Sequence, residues 1–355
     1  MSVSKRSLQL VVSFSAVVFL LASIACNNNG GSISLQGAGA TFPAPLYQKW
    51  LSEYGNLHPN VKMDYQSIGS GGGIKQLKEQ TVDFGASDSP MSDADLQSAP
   101  GAIVHIPTVL GAVVITYNLE SVKQPLRFSP EVIADIFLGK IKKWNDPKIA
   151  ADNSGVTLPT NDITVVHRSD GSGTSAVFTD YLSKVSAEWK EKVGSGVSPS
   201  WPTGIGGKGN EGVTGQVKNT PNTIGYVELA YAATNNLPVA QIKNASGSFI
   251  EPSIDAVTAA AAASAANMPD DLRISITNAA GPQAYPISSY TYILVYKDQK
   301  DAAKGKVLVD FLWWGIHDGE GFAKELQYAP LPADIVKRAE AKINSVTAGG
   351  AALRS

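Results

Sequence analysis

The amino-acid sequence predicts an α/β fold, and three observations support this prediction. Short strand-like runs alternate with helical patterns along the chain, an order typical of sheets that are mostly parallel. Several glycine-rich turns follow a strand and precede a helix, which is where ligands bind in such sheets. The length of 355 residues corresponds to about two domains.

The predicted elements follow the chain in a regular order. The apolar residues 177, 178, 181, 182 and 185 recur at helical spacing, and the alanine-rich run 256–267 favours a helix because alanine is the best helix former. Strands are predicted at 33–35, 61–67, 82–86, 104–117, 163–166 and 290–296. Helices are predicted at 44–54, 74–80, 175–185, 256–267 and 304–314.

The composition limits the classes of function. Hydrophobic residues make up 43% of the chain, which is enough for a buried core, and the formal net charge is only -2. This balance gives no basic surface for nucleic acid and suits a polyanion poorly. Backbone amides and one or two cations could still hold a small anion.

The N-terminus predicts secretion. Lys5 and Arg6 precede an apolar run at 8–21, and this run is too short to span a bilayer comfortably. We therefore predict a signal peptide at residues 1–25.

Cys26 is the only cysteine of the chain and lies at the expected cleavage point. The stretch resembles a bacterial lipoprotein signal, in which this cysteine carries the lipid, although Ser23 occupies the position where such signals usually have leucine. A free thiol after simple secretion is the alternative. Residues 26–32 are predicted to form a flexible tether.

The segment "HRSDGSGTSAVFTDYL" at 167–182 has the composition of an anion site. The amides of the first helical turn lack internal partners and carry the positive end of the helix dipole. Arg168 offers a planar fork for two oxygens, Asp170 can hold that fork, and Ser172 and Thr174 add hydroxyl donors. The alternative is an ordinary polar loop that caps a helix.

Three more loops have the same strand–turn–helix order. They are "GAGATFPAPLYQKW" at 37–50, "SIGSGGGIKQL" at 67–77 and "VDFGASDSPMS" at 82–92. The last loop ends its strand in Asp88, which could also be a simple turn or cap residue. Four such loops together indicate a ligand site more specifically than one does.

These segments resemble the periplasmic phosphate-binding proteins of bacterial phosphate ABC transporters, the PstS family. Further matching segments lie in order along the rest of the chain: "LGKIKKWNDP" at 138–147, "WPTGIGGKGNEGV" at 201–213 and "IGYVELAYA" at 224–232. The resemblance implies a type II periplasmic binding fold with two lobes, each a mixed sheet flanked by helices, joined by two hinge strands. It implies a protein outside the cytoplasmic membrane that binds inorganic phosphate in the interlobe cleft and delivers it to membrane permease subunits.

The resemblance also implies the domain boundaries. Lobe one would comprise residues 33–117 and 285–355, and lobe two residues 118–284. The chain would cross between the lobes near 113–117 and near 285–288.

The family's phosphate contacts can be carried over by matching motifs. Asp88 would accept a proton from phosphate, and Asp170 would steady Arg168 without touching the ligand. The implied phosphate-binding residues are Ala40, Thr41, Phe42, Ser70, Asp88, Arg168, Ser172, Gly173 and Thr174. No metal, cofactor or catalytic residue is implied.

An acid in an anion site has a chemical purpose. Phosphate at neutral pH carries a proton and sulfate carries none, while an ionised Asp88 can only accept hydrogen bonds. Sulfate would therefore meet the carboxylate with bare oxygens, and two like charges would be desolvated together.

Three other functions remain as alternatives. A phosphatase-like enzyme would need a nucleophile with a base or metals, and the glycine-rich run 204–212 lacks the nucleotide P-loop pattern. A binding protein for sulfate or molybdate is opposed by Asp88. A structural surface protein is opposed by the complete set of donors.

Overall fold

The computed structural model describes residues 32–354. The predicted signal peptide, Cys26 and nearly all of the predicted tether lie outside these residues. Within this range no helix has the length and apolar character needed to cross a membrane.

The described part of the chain contains a mixed α/β structure built on one eight-stranded sheet, with strand order β2-β1-β3-β11-β4-β8-β6-β7. The strands are β1 Ile33–Gly39, β2 Val61–Ser67, β3 Phe84–Ser87, β4 Ile103–Tyr117, β5 Arg127–Phe128, β6 Thr164–Arg168, β7 Ile205–Gly207, β8 Thr223–Glu228, β9 Gln241–Lys243, β10 Phe249–Ile250, β11 Ser288–Tyr296, β12 Asp298–Gln299, β13 Thr347–Ala348 and β14 Ala351–Ala352. Strands β5, β9 and β10 form one small sheet, and β12 to β14 form another.

Twelve α-helices connect the strands in the described part of the chain. The α-helices are α1 Ala44–Leu57, α2 Ser70–Lys78, α3 Asp93–Gln97, α4 Pro130–Phe137, α5 Pro147–Asp152, α6 Gly173–Val185, α7 Ala187–Lys192, α8 Gly209–Asn219, α9 Leu229–Thr234, α10 Ile254–Ser264, α11 Ala302–Gly315 and α12 Ala333–Asn344. Short 3-10 helices occupy Ala265–Asn267, Asp318–Phe322 and Lys324–Leu326.

The long strand β4 belongs to both parts of the main sheet. Its residues up to Ala112 pair with β11, and its residues from Val113 to Tyr117 pair with β8. We call β2, β1, β3, β11 and the first part of β4 the first sheet half, and the rest of β4 with β8, β6 and β7 the second sheet half. The chain thus crosses from the first sheet half to the second within β4. It crosses back near Ile287, whose carbonyl accepts a hydrogen bond from the Val113 amide at 2.9 Å.

The pairing is parallel among the outer strands of each half and antiparallel wherever β11 or β4 takes part. β1 runs parallel to β2 and β3, and β6 runs parallel to β7 and β8. β11 runs antiparallel to β3 and β4, and β4 runs antiparallel to β8. Since parallel strands end at the same edge, the loops after β1, β2 and β3 lie together, as do those after β6 and β7.

The glycines after β2 belong to a helix rather than to the turn before it. The sequence predicts helix from residue 74, whereas α2 begins at Ser70 and includes three glycines. A Cβ on Gly73 would lie only 2.5 Å from the carbonyl oxygen of Ala38. Glycine therefore lets α2 pack directly on β1, and this close packing overrides the low helix propensity of the run.

The core residues of β4 and β11 are buried on both faces, as expected for a central strand covered by helices. Buried aromatic side chains fill the space around α1. Tyr47 stacks on Trp50, and Trp50 and Tyr54 each contact Phe311 edge to face. This packing fixes the position of α1 and of the loop that precedes it.

Candidate functional site

The loop between β1 and α1 is held by three buried tyrosines. Tyr65, Tyr231 and Tyr328 donate hydrogen bonds to the carbonyl oxygens of residues 40, 41 and 42, at 2.7, 2.6 and 2.6 Å respectively. Side chains from distant parts of the chain therefore contact all three carbonyl groups of the turn. The single proton of Tyr231 also lies within reach of Glu211 Oε1, at an O···O distance of 2.9 Å.

This arrangement leaves two amides of the loop free. The amides of Thr41 and Phe42 have no hydrogen-bond partner within residues 32–354. The Ala40 amide, in contrast, donates to the Ala86 carbonyl at 3.0 Å. Ala40 thus offers no free donor, while its two successors do.

The second loop supplies a buried hydroxyl and a contact between the sheet halves. Ser70 is fully buried, and its Oγ accepts a hydrogen bond from the Asp88 amide at 3.4 Å, which leaves the hydroxyl proton free to donate. The Gly71 amide donates to the Gly171 carbonyl at 2.9 Å. Gly71 lies beside the predicted contacts in sequence, and the structure uses it to join the two sheet halves.

Asp88 is a buried carboxyl group with one oxygen left unpaired. Its side chain is 1% exposed, and Oδ1 accepts a hydrogen bond from the Thr291 hydroxyl at 2.9 Å. Oδ2 is buried and has no hydrogen-bond partner among the described residues. Burial raises the pKa of Asp88 to about 7, against the opposing effects of Thr291, Arg168 and Ser70.

An unpaired buried carboxylate oxygen is costly unless something binds it. The neighbours of Oδ2 indicate what could bind there, because a Cβ on Gly173 would lie 2.5 Å from Oδ2 and would also overlap Ser70 Oγ. Gly173 begins α6, whose first amides have no intrahelical acceptor. Oδ2 therefore faces a helix start across the junction of the two sheet halves.

Arg168 is the buried cation of the site. Its Nε and Nη2 donate to the two carboxylate oxygens of Asp170 at 2.8 and 2.6 Å. Burial alone would raise the pKa of Asp170, but the hydrogen bonds and charge of Arg168 hold that pKa below its ordinary value. Since Asp170 uses one edge of the guanidinium, the remaining N–H groups of Arg168 point to other partners, and Nη1 lies 3.4 Å from Thr174 Oγ1.

The start of α6 presents free donors. Ser172 caps the helix by accepting the Ser175 amide at 2.9 Å, and its own amide donates to the Val197 carbonyl. The amides of Gly173 and Thr174 are the first two of the helix and have no acceptor within the described chain. Ser172, Thr174 and Ser175 are all fully buried.

The structure places one further residue among these groups that the sequence analysis did not single out. Asn210, in the first turn of α8, is fully buried and donates from Nδ2 to Thr41 Oγ1 at 2.7 Å and to Thr174 Oγ1 at 3.1 Å. The run 204–212, which lacks the nucleotide P-loop pattern, forms strand β7 and the start of α8. Its strand–turn–helix order was the signal that could have identified Asn210.

Glu228 is a second buried acid nearby. Its Oε2 accepts the Ala230 amide at 2.6 Å, and burial raises its pKa well above the ordinary value. The raised pKa favours the neutral form of Glu228, which adds no negative charge beside Asp88. Its other oxygen, Oε1, is also buried without a hydrogen-bond partner among the described residues.

The arrangement can bind an anion that carries both bare oxygens and a proton. Amides, hydroxyls and one guanidinium converge from loops of both sheet halves, and one acceptor lies among them. The three tyrosines that hold the first loop could not be identified from any local motif. No cluster of His, Cys, Asp or Glu side chains with the arrangement of a metal site occurs in residues 32–354.

The chain is similar to known phosphate-binding proteins. A family model described as the PBP superfamily domain matches residues 27–313. The chain is 47% identical over 311 residues to the phosphate-binding protein PstS of Xylella fastidiosa, covering 87% of this chain and 85% of that protein. It is 45% identical over 340 residues to the PstS of Pasteurella multocida, covering 96% and 95%.

Solved structures share the fold at lower identity. A high affinity periplasmic phosphate-binding protein bound with phosphate matches with a TM-score of 0.67 at 23% identity, covering 87% of this chain and 93% of that chain. An ABC-type phosphate transport receptor from Vibrio cholerae matches with a TM-score of 0.56 at 19% identity, covering 84% and 100%.

The tyrosine contacts of the first loop lead to a prediction about stability. Replacing Tyr65 by Phe removes the donor to the Ala40 carbonyl, so we expect the free energy of unfolding to fall by about 1–3 kcal/mol, the cost of a buried unpaired polar group. Chemical denaturation measures this change. Tyr296→Phe is the matched control, because Tyr296 donates to the Leu77 carbonyl at 2.8 Å from a partly exposed position. Equal losses in both variants would contradict the special role of the loop carbonyls.

Proposed function

Because this chain belongs to the PBP superfamily and, within it, to the PstS phosphate-binding proteins, we propose that it binds inorganic phosphate at the junction of its two sheet halves. It captures phosphate outside the cytoplasm for an ABC transporter, and it is a binding protein rather than an enzyme. The relatives bear the name of phosphate-binding proteins, which supports phosphate over the sulfate and molybdate alternatives.

The observation that carries the proposal is the unpaired Oδ2 of Asp88, buried within a ring of donors. Inorganic phosphate can pair with the donors and with the unpaired acceptor at the same time. Its bare oxygens accept from the amides and hydroxyls, and its hydroxyl donates to Oδ2. Sulfate can satisfy the donors only.

We propose the following roles for the site residues. Asp88 accepts the phosphate proton, Arg168 supplies the positive charge, and Asp170 orients Arg168 without touching phosphate. Ala40 lines the site without donating, since its amide and its carbonyl are already paired. Donors to the phosphate oxygens are Thr41, Phe42, Ser70, Ser172, Gly173 and Thr174.

We propose that phosphate affinity comes from closure of the two sheet halves around the ligand and from many amide and hydroxyl donors, rather than from net charge. Loops of both sheet halves meet around Asp88, so water is excluded and each hydrogen bond gains strength in the lower dielectric. Opening and closing about the crossings at β4 and Ile287 would let phosphate enter and leave. The lobe boundaries expected from the sequence, 33–117 with 285–355 and 118–284, agree with this placing of the crossings and remain our proposal.

Delivery requires a partner in the membrane. We propose that the permease subunits of a phosphate ABC transporter receive phosphate from this protein. We also propose that Cys26 carries a lipid that holds the protein at the outer face of the membrane, because it is the sole cysteine and follows the predicted signal peptide.

The anchor has a direct test. In a bacterial host, labelled fatty acid should enter the full-length protein and should be absent from Cys26→Ser, while phosphate affinity of the two is the same. Incorporation of label into both variants, or into neither, would contradict the anchor and leave phosphate binding untouched.

The role of Asp88 is tested by selectivity. We expect Asp88→Asn to relax the rejection of sulfate by roughly 10²-fold or more, because the amide can donate to a bare oxygen that the carboxylate repels. Phosphate titrations by calorimetry with and without excess sulfate measure the change. Equal competition by sulfate in wild type and variant would refute this role.

The same titrations have an expected pH dependence. The pKa of Asp88 is raised to about 7 by burial, so acidification from pH 8 to pH 6 converts an acceptor into a neutral carboxyl that can donate to sulfate. Competition by sulfate should then strengthen by about tenfold in the wild type, since the neutral fraction rises by that factor. Asn does not titrate, so in Asp88→Asn only the ionisation of phosphate itself can change the competition, and the wild type should exceed that change by about tenfold.

Substitution of Gly173 tests whether phosphate binding requires the close contact between the two sheet halves. A Cβ on Gly173 would overlap Ser70 Oγ and Asp88 Oδ2, so we expect Gly173→Ala to weaken phosphate binding on the order of 10²-fold or more, since a small misplacement of binding groups is costly. Gly215→Ala is the matched control, because nothing lies within 4 Å of a Cβ there. It should bind phosphate like the wild type, and a similar loss in both variants would contradict the account.

A further inference from the structure

Asn210 contacts hydroxyl groups from both sheet halves. It lies in the first turn of α8, and Thr41 and Thr174 lie at the starts of α1 and α6. Thr41 belongs to a loop of the first sheet half, and Thr174 and Asn210 belong to loops of the second. All three side chains are at most 2% exposed, so water cannot substitute for these contacts.

The orientation of the Asn210 amide is fixed by its surroundings. Its Oδ1 accepts the Glu228 amide at 2.9 Å. A backbone N–H can only donate, so the oxygen must face Glu228 and the NH₂ group must face the two threonines. The amide cannot turn over without placing two donors against each other.

The fixed NH₂ group determines the direction of the Thr41 hydroxyl. Thr41 Oγ1 accepts from the Asn210 backbone amide at 3.1 Å and from Nδ2 at 2.7 Å. A hydroxyl oxygen has two lone pairs and one proton. With both lone pairs occupied, the proton of Thr41 must be donated to a third group.

The hydroxyl oxygen of Thr174 is likewise occupied as an acceptor. Its Oγ1 accepts from Asn210 Nδ2 at 3.1 Å and lies 3.4 Å from Arg168 Nη1. Its proton is therefore also directed away from these donors. A free hydroxyl could turn either its proton or its lone pairs toward an anion, and the lone pairs would repel it.

We propose that Asn210 is a positioning residue for phosphate: it sets both threonine hydroxyls as donors and does so only when the two sheet halves are together. This inference rests on the proposed phosphate binding and adds a residue that acts through Thr41 and Thr174 rather than on the ligand. The amide thereby links closure of the site to the direction of its hydroxyl donors.

The test compares the effect of Asn210→Ala in two backgrounds. In the wild type we expect phosphate affinity to fall on the order of 10-fold, since the hydroxyls lose a directing hydrogen bond. In Thr41→Val with Thr174→Val, no hydroxyl remains to be oriented, so Asn210→Ala should change affinity by less than about 2-fold. Equilibrium dialysis with labelled phosphate measures all four proteins, including those that bind weakly.

Asn153→Ala is the matched control for loss of a buried asparagine. Asn153 is 5% exposed, accepts the Arg127 amide and donates to the carbonyls of Arg127 and Ile149, all at 2.8 Å. It should lower the melting temperature without changing phosphate affinity.

Each outcome distinguishes the inference from the proposed function. A wild type that does not bind phosphate would overturn the proposed function itself. A wild type that binds phosphate, with Asn210→Ala either equal to it or equally harmful in both backgrounds, would overturn the positioning role alone.

Discussion

The structure depends on one buried oxygen, Oδ2 of Asp88. A carboxylate oxygen without a partner in the protein interior is unfavourable, and the fold accepts this cost at the junction of its two sheet halves. Ser70 Oγ and the start of α6 lie around Oδ2, and nearby Glu228 Oε1 is a second buried oxygen without a partner among the described residues. A ligand offsets this unfavourable energy only if it donates a proton to Oδ2 and accepts hydrogen bonds from the donors. Phosphate meets both conditions, and sulfate meets only the second.

The charges of the site are balanced locally. Arg168 is the buried cation, and Asp170 shares it through two short hydrogen bonds. Glu228 lies close by, and burial raises its pKa so that it favours the neutral form. Binding therefore relies on neutral dipoles held in fixed directions, which is consistent with the small net charge of the chain. A cationic patch would have attracted any anion, including polyanions, without distinguishing among them.

Much of the fold could be predicted from the sequence. Strand-turn-helix order located the loops after β1, β2, β3 and β6, because glycines, a strand end and a following helical spacing are all local signals. The same reasoning placed α2 four residues too late, since the packing of Gly73 on β1 is a tertiary contact that local propensity does not contain. The predicted signal peptide and Cys26 lie beyond the described residues and stay predictions.

The supporting residues of the site were harder to predict for a physical reason. Tyr328 reaches the Phe42 carbonyl across 286 positions of the chain, and Asn210 reaches Thr41 across 169. Such contacts join segments that are far apart in the chain and meet only in the folded protein, so no spacing in the sequence reports them. Ala40 illustrates a second difficulty. Its place in a matching motif suggests a phosphate contact, but the motif does not reveal that the Ala40 amide already donates to the Ala86 carbonyl.

The most direct measurement is a crystal structure with inorganic phosphate at a resolution that separates the oxygens. We expect one phosphate oxygen about 2.5–2.7 Å from Asp88 Oδ2, the length of a charge-assisted O–H···O⁻ bond, with the other oxygens on the amides of Phe42, Gly173 and Thr174. Phosphate bound elsewhere, or bound here with Oδ2 still unpaired, would contradict it.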